Sequence, residues 1–254
     1  MPMARRMQLT VFLLAWLIAG THFAYSLALQ TAGRTVEVKS VMEPGELPDM
    51  TLGNPDAPAK LVIYTGISPF EAKFHLHVIP VIQRKYIDTG QLLLIVRERA
   101  SNEYTQLARC APPEDYFKVW RVIHASVADE WSRYGDPARA EGERELAQPD
   151  EEIFRELRRK AGISDAGYRA CLETPAISEG LWWEEQRAES LGKQAGTLYF
   201  LNGEPLRVFV GAAGKLDEQI TLTGIQIDMA IQRILKTAVD EQEASDLHKD
   251  YEVK

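Results

Sequence analysis

Ser68, His75, His77, His124, Cys110 and Cys171 are the residues of this 254-residue sequence whose types could carry nucleophilic, metal or redox chemistry. A serine nucleophile needs a base within hydrogen-bond reach. His75 lies seven residues beyond Ser68, two helical turns or about 10 Å along a helix, so it cannot serve locally. His124 can approach only through the tertiary fold. His75 and His77 are two apart and point away from each other on a helix, so no shared metal is expected. No cofactor site is expected either. Ser68-Pro69-Phe70-Glu71 has another reading, the capping box Ser-x-x-Glu. Ser68 as N-cap accepts from the Glu71 N–H, and the Glu71 carboxylate is expected to reach back to the Ser68 N–H. Pro69 falls at the first helical position, where its missing donor costs nothing. Glu71 lies at the positive end of the helix dipole. The cap should contribute on the order of 1 kcal/mol.

The two cysteines are too far apart in sequence for a Cys-x-x-Cys pair or a clustered metal site. In an oxidising compartment an even pair is usually a disulfide. A Cys110–Cys171 bridge is the preferred reading, worth about 4 kcal/mol on chain-entropy grounds. Two buried free thiols and a redox-active pair are the alternatives.

The compartment follows from the N-terminus. Arg5 and Arg6 precede an apolar run from Leu9 to Gly20, with small residues at Ala24, Ser26 and Ala28. This is the layout of an export signal over residues 1–28. A cleaved Sec signal is preferred to an anchor, although Leu9 to Leu29 is long enough to span a bilayer once. The folded part is then expected outside the cytoplasm, in the periplasm or an equivalent space. A net charge of −8 argues against nucleic acid or an anionic membrane surface as the main partner. No phosphate-binding loop or internal repeat is evident.

The elements that must position these residues follow in order. Residues 29–51 read as an N-terminal arm, and Leu52 to Pro58 as a turn cluster. A strand is expected from Lys60 to Tyr64, then the capped helix from about Pro69 to Thr89, kinked at Pro80. The run Gln91 to Val96 reads as a second strand, with Arg97 and Arg99 alternating outward. Strand, helix, strand with short connections is a βαβ unit with parallel strands. About 101–190 reads as a helical insertion. Within it Tyr116, Phe117, Val119, Trp120, Ile123 and His124 form an amphipathic helix face. Asp136 to Pro149 is a solvated segment, and another helix starts at Ser164-Asp165. Trp182-Trp183 could mark a ligand surface, but one or both are expected in the core. Tyr199 to Leu201, Asn202-Gly203 and Leu206 to Val210 read as a β-hairpin. A final helix is expected from about Leu216 to Val239, then a polar, frayed tail over 239–254.

The strand-to-helix turn at Ser68–Glu71, with Pro69, Phe70, Phe74 and His75, resembles the active-site turn of DsbA-like thioredoxin-fold proteins. Those carry Cys-Pro-Tyr-Cys, where the helix N-terminus lowers the first thiol's pKa. Ser68 stands at the first cysteine and Glu71 at the second. The Gly-x-Pro-x-Ala-Pro lead-in at Gly53 to Pro58 is similar too. So is the stretch Gly196-Thr197-Leu198-Tyr199-Phe200-Leu201-Asn202-Gly203, which in the family contains Thr-Pro-Thr-Phe-Phe-x-Asn-Gly. The family's proline there is cis and its loop binds substrate backbone. Thr197 occupies its place, and a trans Gly196–Thr197 bond is expected, since a non-proline cis bond costs about 3 kcal/mol. Segments around Cys110 and Cys171 resemble those that hold a cysteine pair in some members. The resemblance covers about residues 52–238. It implies an α/β, thioredoxin-like fold with a helical insertion. Catalytic residues are expected to be none, with Ser68, Glu71 and Thr197 as degenerate site positions. The function implied is binding of a periplasmic client or partner. The rival readings are a thiol–disulfide oxidoreductase using Cys110 and Cys171, and a structural subunit of an envelope complex anchored by residues 9–29.

Overall fold

The computed structural model describes residues 38, 40–134, 151–192, 196–208 and 215–250. The export signal or anchor, the start of the arm, the whole 136–149 segment, the outer end of the expected second hairpin strand and the last residues of the tail lie outside them. Among the described residues no helix is long and apolar enough to cross a membrane.

Among the described residues five strands form one sheet in the order β1-β3-β2-β4-β5. The strands are β1 (Met50–Gly53), β2 (Ala59–Thr65), β3 (Leu92–Glu98), β4 (Leu198–Leu201) and β5 (Glu204–Pro205). As the βαβ pattern requires, β2 and β3 are parallel. The pairs β1–β3, β2–β4 and β4–β5 are antiparallel. Strand β1 falls where the sequence suggested an arm and the start of a turn cluster. Its four residues do alternate, with Met50 and Leu52 half-buried and Thr51 and Gly53 exposed, but the run is short and enters a turn cluster, so the pairing with β3 is what defines it.

The central strands are covered on both faces, so they read as continuous apolar runs. Successive side chains divide between the two sides. Leu61, Ile63, Leu94 and Val96 join Phe74, Val78, Ile82, Trp120, Ile227 and Ile231 in one core. Val62, Tyr64, Leu93 and Ile95 join Val41, Ala57, Ala188 and Phe200 in another.

Helix α1 runs from Pro69 to Ile87 and is not uniform. It is α-helical over Pro69–Lys73 and Ile79–Ile82, and π-helical over Phe74–Val78 and Gln83–Ile87. The irregularity expected at Pro80 thus takes the form of widened turns. Pro80 opens the second α segment, and the Ile79 N–H before it bonds to Phe74 O. Helices α2 (Glu103–Arg109), α3 (Tyr116–Tyr134), α4 (Glu151–Ala161), α5 (Asp165–Leu172) and α6 (Pro175–Leu191) form the insertion. The amphipathic face of α3 is buried as expected, with Tyr116, Val119, Trp120, Ile123 and His124 all inside. Trp182 and Trp183 of α6 do not enter the core. Both are half-buried and pack edge to face, with centroids 4.6 Å apart.

The Asn-Gly turn joins β4 to β5. Asn202 and Gly203 have φ of 51° and 87°, the left-handed pair a tight hairpin turn demands. The Asn202 carboxamide also ties the turn to the sheet by accepting from Lys60 N at 2.7 Å. The second strand does not fall at Leu206 to Val210 as expected: it is the two residues directly after the turn, Glu204–Pro205, and the Leu206 N–H still donates to Tyr199 O at 2.8 Å. The last helix, α7, spans Leu216–Asp250, so the segment expected to fray from 240 is helical for most of its length. Lys73–Asp217 and Lys85–Asp228 ion pairs link α7 to α1.

Candidate functional site

The turn after β2 begins with a cap. Ser68 has extended backbone geometry, and its hydroxyl accepts from the Glu71 N–H at 3.2 Å. The other half of the expected box does not form. The Glu71 carboxylate turns inward, becomes buried, and accepts from Gly66 N at 3.1 Å. A reciprocal capping box exists elsewhere, between Asn102 and Thr105 at the start of α2.

The inward turn of Glu71 brings the three expected site positions together. Strand β4 pairs with β2 so that Leu198 faces Tyr64. Thr197, one residue earlier, therefore lies beside the end of β2. Its hydroxyl donates to Glu71 Oε1 at 3.2 Å. Gly196 precedes it at φ +120°, a conformation open to glycine, and no cis peptide bond occurs among the described residues. The Gly196–Thr197 bond is trans, as expected. Ser68, Glu71 and Thr197 thus close one polar junction between two loops.

Beneath this junction is an aromatic stack. Phe70 and Phe74 are parallel with centroids 6.4 Å apart, and Phe74 meets Tyr199 edge to face. His75 stacks on His124 with centroids 4.5 Å apart, and Trp120 packs edge-on against both. His75 Nε2 is 3.2 Å from Thr65 Oγ1. Neither ring nitrogen of His124 bonds to a described residue. Burial pushes the His75 imidazole down to about 3. Burial and then the neighbouring His75 hold His124 well below the usual range. Both are neutral at neutral pH. Two parallel rings direct their nitrogens along parallel planes, so the pair cannot converge on one metal ion. No group of three or more metal-ligating side chains occurs among the described residues. His75 is engaged with Thr65, and Ser68 has no imidazole hydrogen-bonded to it among the described residues, so the arrangement is not that of a serine hydrolase.

The aromatic stack leads to a buried charge. Tyr116 stacks on Trp120, and its hydroxyl donates to Glu98 at 2.9 Å. Arg109 forks onto both Glu98 oxygens and donates to Pro48 O at 2.7 Å. Cys110, the next residue, is bridged to Cys171 with Cα atoms 5.7 Å apart. The bridge fastens the end of α2 to α5, and both cysteines are half-buried.

Arg97 corrects a sequence expectation. It does not point outward; it is 1% exposed. Its guanidinium holds both oxygens of Asp49, the carbonyls of Val41 and Glu43, and the Tyr64 hydroxyl. Arg187 of α6 holds the carbonyls of Ser40, Glu43 and Pro44. Three arginines, Arg97, Arg109 and Arg187, therefore bind the arm through the carbonyls of Ser40, Val41, Glu43, Pro44 and Pro48. Glu184 lies among them, and burial raises its carboxyl. No local pattern marks this network. Its partners are distant in sequence, and only the alternation rule spoke to Arg97, wrongly, because β3 is covered on both faces.

A family model described as thioredoxin matches residues 46–204, more than half of the chain. A "Putative protein-disulfide oxidoreductase" from Rickettsia bellii is 26% identical over 161 residues, covering 61% of this chain and 57% of the relative. One of the same name from Rickettsia typhi is 28% identical, covering 61% and 55%. The chain thus spans a little over half the length of these relatives. The crystal structure of Wolbachia pipientis alpha-DsbA1 superposes with a TM-score of 0.57 at 21% identity, covering 78% of this chain and 98% of that one. The chain belongs to the thioredoxin family whose model it matches, and its fold is like that of alpha-DsbA1.

Proposed function

We propose that this protein is an exported DsbA-like protein without dithiol redox activity at its strand-to-helix turn, and that it binds a client or partner protein through the surface around that turn. The observation that carries the reading is the junction of Ser68, Glu71 and Thr197. A carboxylate stands where the resemblance places the second thiol, and hydrogen bonds from Gly66 and Thr197 hold it. A hydroxyl engaged as an N-cap stands where the first thiol would be. Neither residue can pass electrons. The turn, the half-buried Phe70 and the facing loop remain as a shaped surface. The Cys110–Cys171 disulfide supports export, because such bonds persist in oxidising compartments.

The names of the Rickettsia relatives favour a second reading, a thiol–disulfide oxidoreductase. The two cysteines of the sequence, Cys110 and Cys171, lie on the insertion and are bonded to each other. Placing a photo-crosslinking amino acid at Phe70 in cells separates binding at the turn from binding elsewhere. A discrete adduct is expected from Phe70 and none from the exposed Glu173 on the insertion. Equal labelling from both positions, or none from Phe70, would remove the client-binding surface from the turn.

A further inference from the structure

Helix α7 carries two stripes. Ile220, Thr223, Ile227 and Ile231 are buried against the domain. On the opposite side, Leu222, Ile225 and Met229 are 46%, 50% and 56% exposed. Glu218, Gln232 and Lys236 extend this outer stripe, and all three are exposed. The steps from Glu218 through Lys236 alternate between four and three residues. That is the a/d spacing of a coiled-coil seam. A surface helix that only covered a core would carry polar residues on this side.

We propose that this outer stripe is the interface for a second copy of the same chain, with the two α7 helices packed antiparallel about a two-fold axis level with Ile227. The seam is self-complementary in that register and no other occupant has to be invoked. Positions equally far from residue 227 face one another. Ile225 meets Met229 of the second copy, Leu222 meets Gln232, and Glu218 meets Lys236. Each contact is an a-to-d′ pair, as an antiparallel coiled coil requires. The apolar side chains fall at the centre, and an opposite-charge pair closes each end. A parallel pairing would set Glu218 against Glu218 and Lys236 against Lys236, which like-charge repulsion disfavours. The closed two-fold arrangement uses one patch twice and leaves no open end for fibre growth. The protein's net charge of −8 makes an anionic membrane surface a poor alternative occupant.

Sedimentation equilibrium of the full chain tests the proposal. The unaltered protein should show a monomer–dimer equilibrium. Ile225→Glu should raise the dissociation constant by at least about tenfold, with the thermal melt of the domain unchanged, since the side chain faces away from the core. If that variant melts early, Met229→Lys supplies the same reading from a neighbouring position. Glu218→Lys and Lys236→Glu should each weaken the dimer, and the double exchange should restore it toward the original constant. A single-chain mass at every concentration would overturn the interface. So would a dimer indifferent to both Ile225→Glu and Met229→Lys. A double exchange no tighter than either single change would overturn the antiparallel register.

Discussion

The junction at Ser68–Glu71 and the charged interior beneath residues 40–49 are both polar, but they are held in different ways. The junction is made of neutral donors and one carboxylate, in contacts of 3.1–3.2 Å, next to a loop edge. The interior consists of full charges that are almost fully enclosed, Arg97 on Asp49 and Arg109 on Glu98. A buried charge is tolerated only when paired and hydrogen-bonded. The arginines meet that demand by gathering carbonyls of the arm. The half-buried, neutral Ser68 cap needs no such support, and the Glu71 carboxylate beside it is held by hydrogen bonds from Gly66 and Thr197. The contrast indicates where the fold is committed: the interior network fixes the arm to the sheet, while the Ser68 cap can change residue type at modest cost.

Removing one charge from the interior should therefore have the largest effect. Arg109→Met leaves Glu98, which is fully enclosed, without its counter-charge. A loss of about 3–5 kcal/mol is expected in urea denaturation. The paired change Arg109→Met with Glu98→Leu should recover much of it, because replacing both charges removes the unpaired one. If Arg109→Met costs no more than the cap variant below, the two regions do not differ as argued.

Acid should sharpen the comparison next, through the histidines that lie between the two regions. His75 and His124 have folded values below their unfolded ones, so the unfolded chain takes up protons first. Stability is then full above about pH 6.5 and falls as the pH drops toward the folded values. Between about pH 6.5 and 5, before most carboxylates titrate, the loss should be of the order of 2–4 kcal/mol for the two groups together. His124→Phe keeps the stack and removes one titrating group, so its stability curve should be flatter over that interval. A wild-type curve that is level from pH 7 to 5 would contradict the buried, neutral pair.

The smallest effect belongs to the cap. Ser68→Ala should cost about 0.5–2 kcal/mol, and Ser68→Asp should be tolerated. The same thermal or urea melts measure both. If Ser68→Ala leaves stability intact but removes partner capture at Phe70, the serine contacts the partner and is more than a cap.

What could be read from the sequence follows the same division. The βαβ unit, the cap at Ser68, the Asn-Gly turn and the buried face of α3 depend on spacing within a few residues, and these formed. The inward turn of Glu71 depends on Gly66 and Thr197, 126 residues away in the latter case, so the local box pattern misassigned its partner. Arg97 was placed outside because the rule of alternation assumes a solvated face, and β3 has none. The stacking of His75 on His124 depends on how α1 packs against α3, which no periodicity records. Strand β1 and the extension of α7 were missed for related reasons: one is defined by its pairing, the other by a polar composition compatible with helix or tail.

The central claim is that a DsbA-like fold persists here without dithiol chemistry at the turn. The most direct measurement is the rate of insulin reduction by dithiothreitol in the presence of the purified protein, alongside the Cys110→Ala/Cys171→Ala variant. The account predicts that neither protein raises the rate above that of dithiothreitol alone. Acceleration by the unaltered protein that disappears in the cysteine variant would contradict it, and would assign the activity to Cys110 and Cys171.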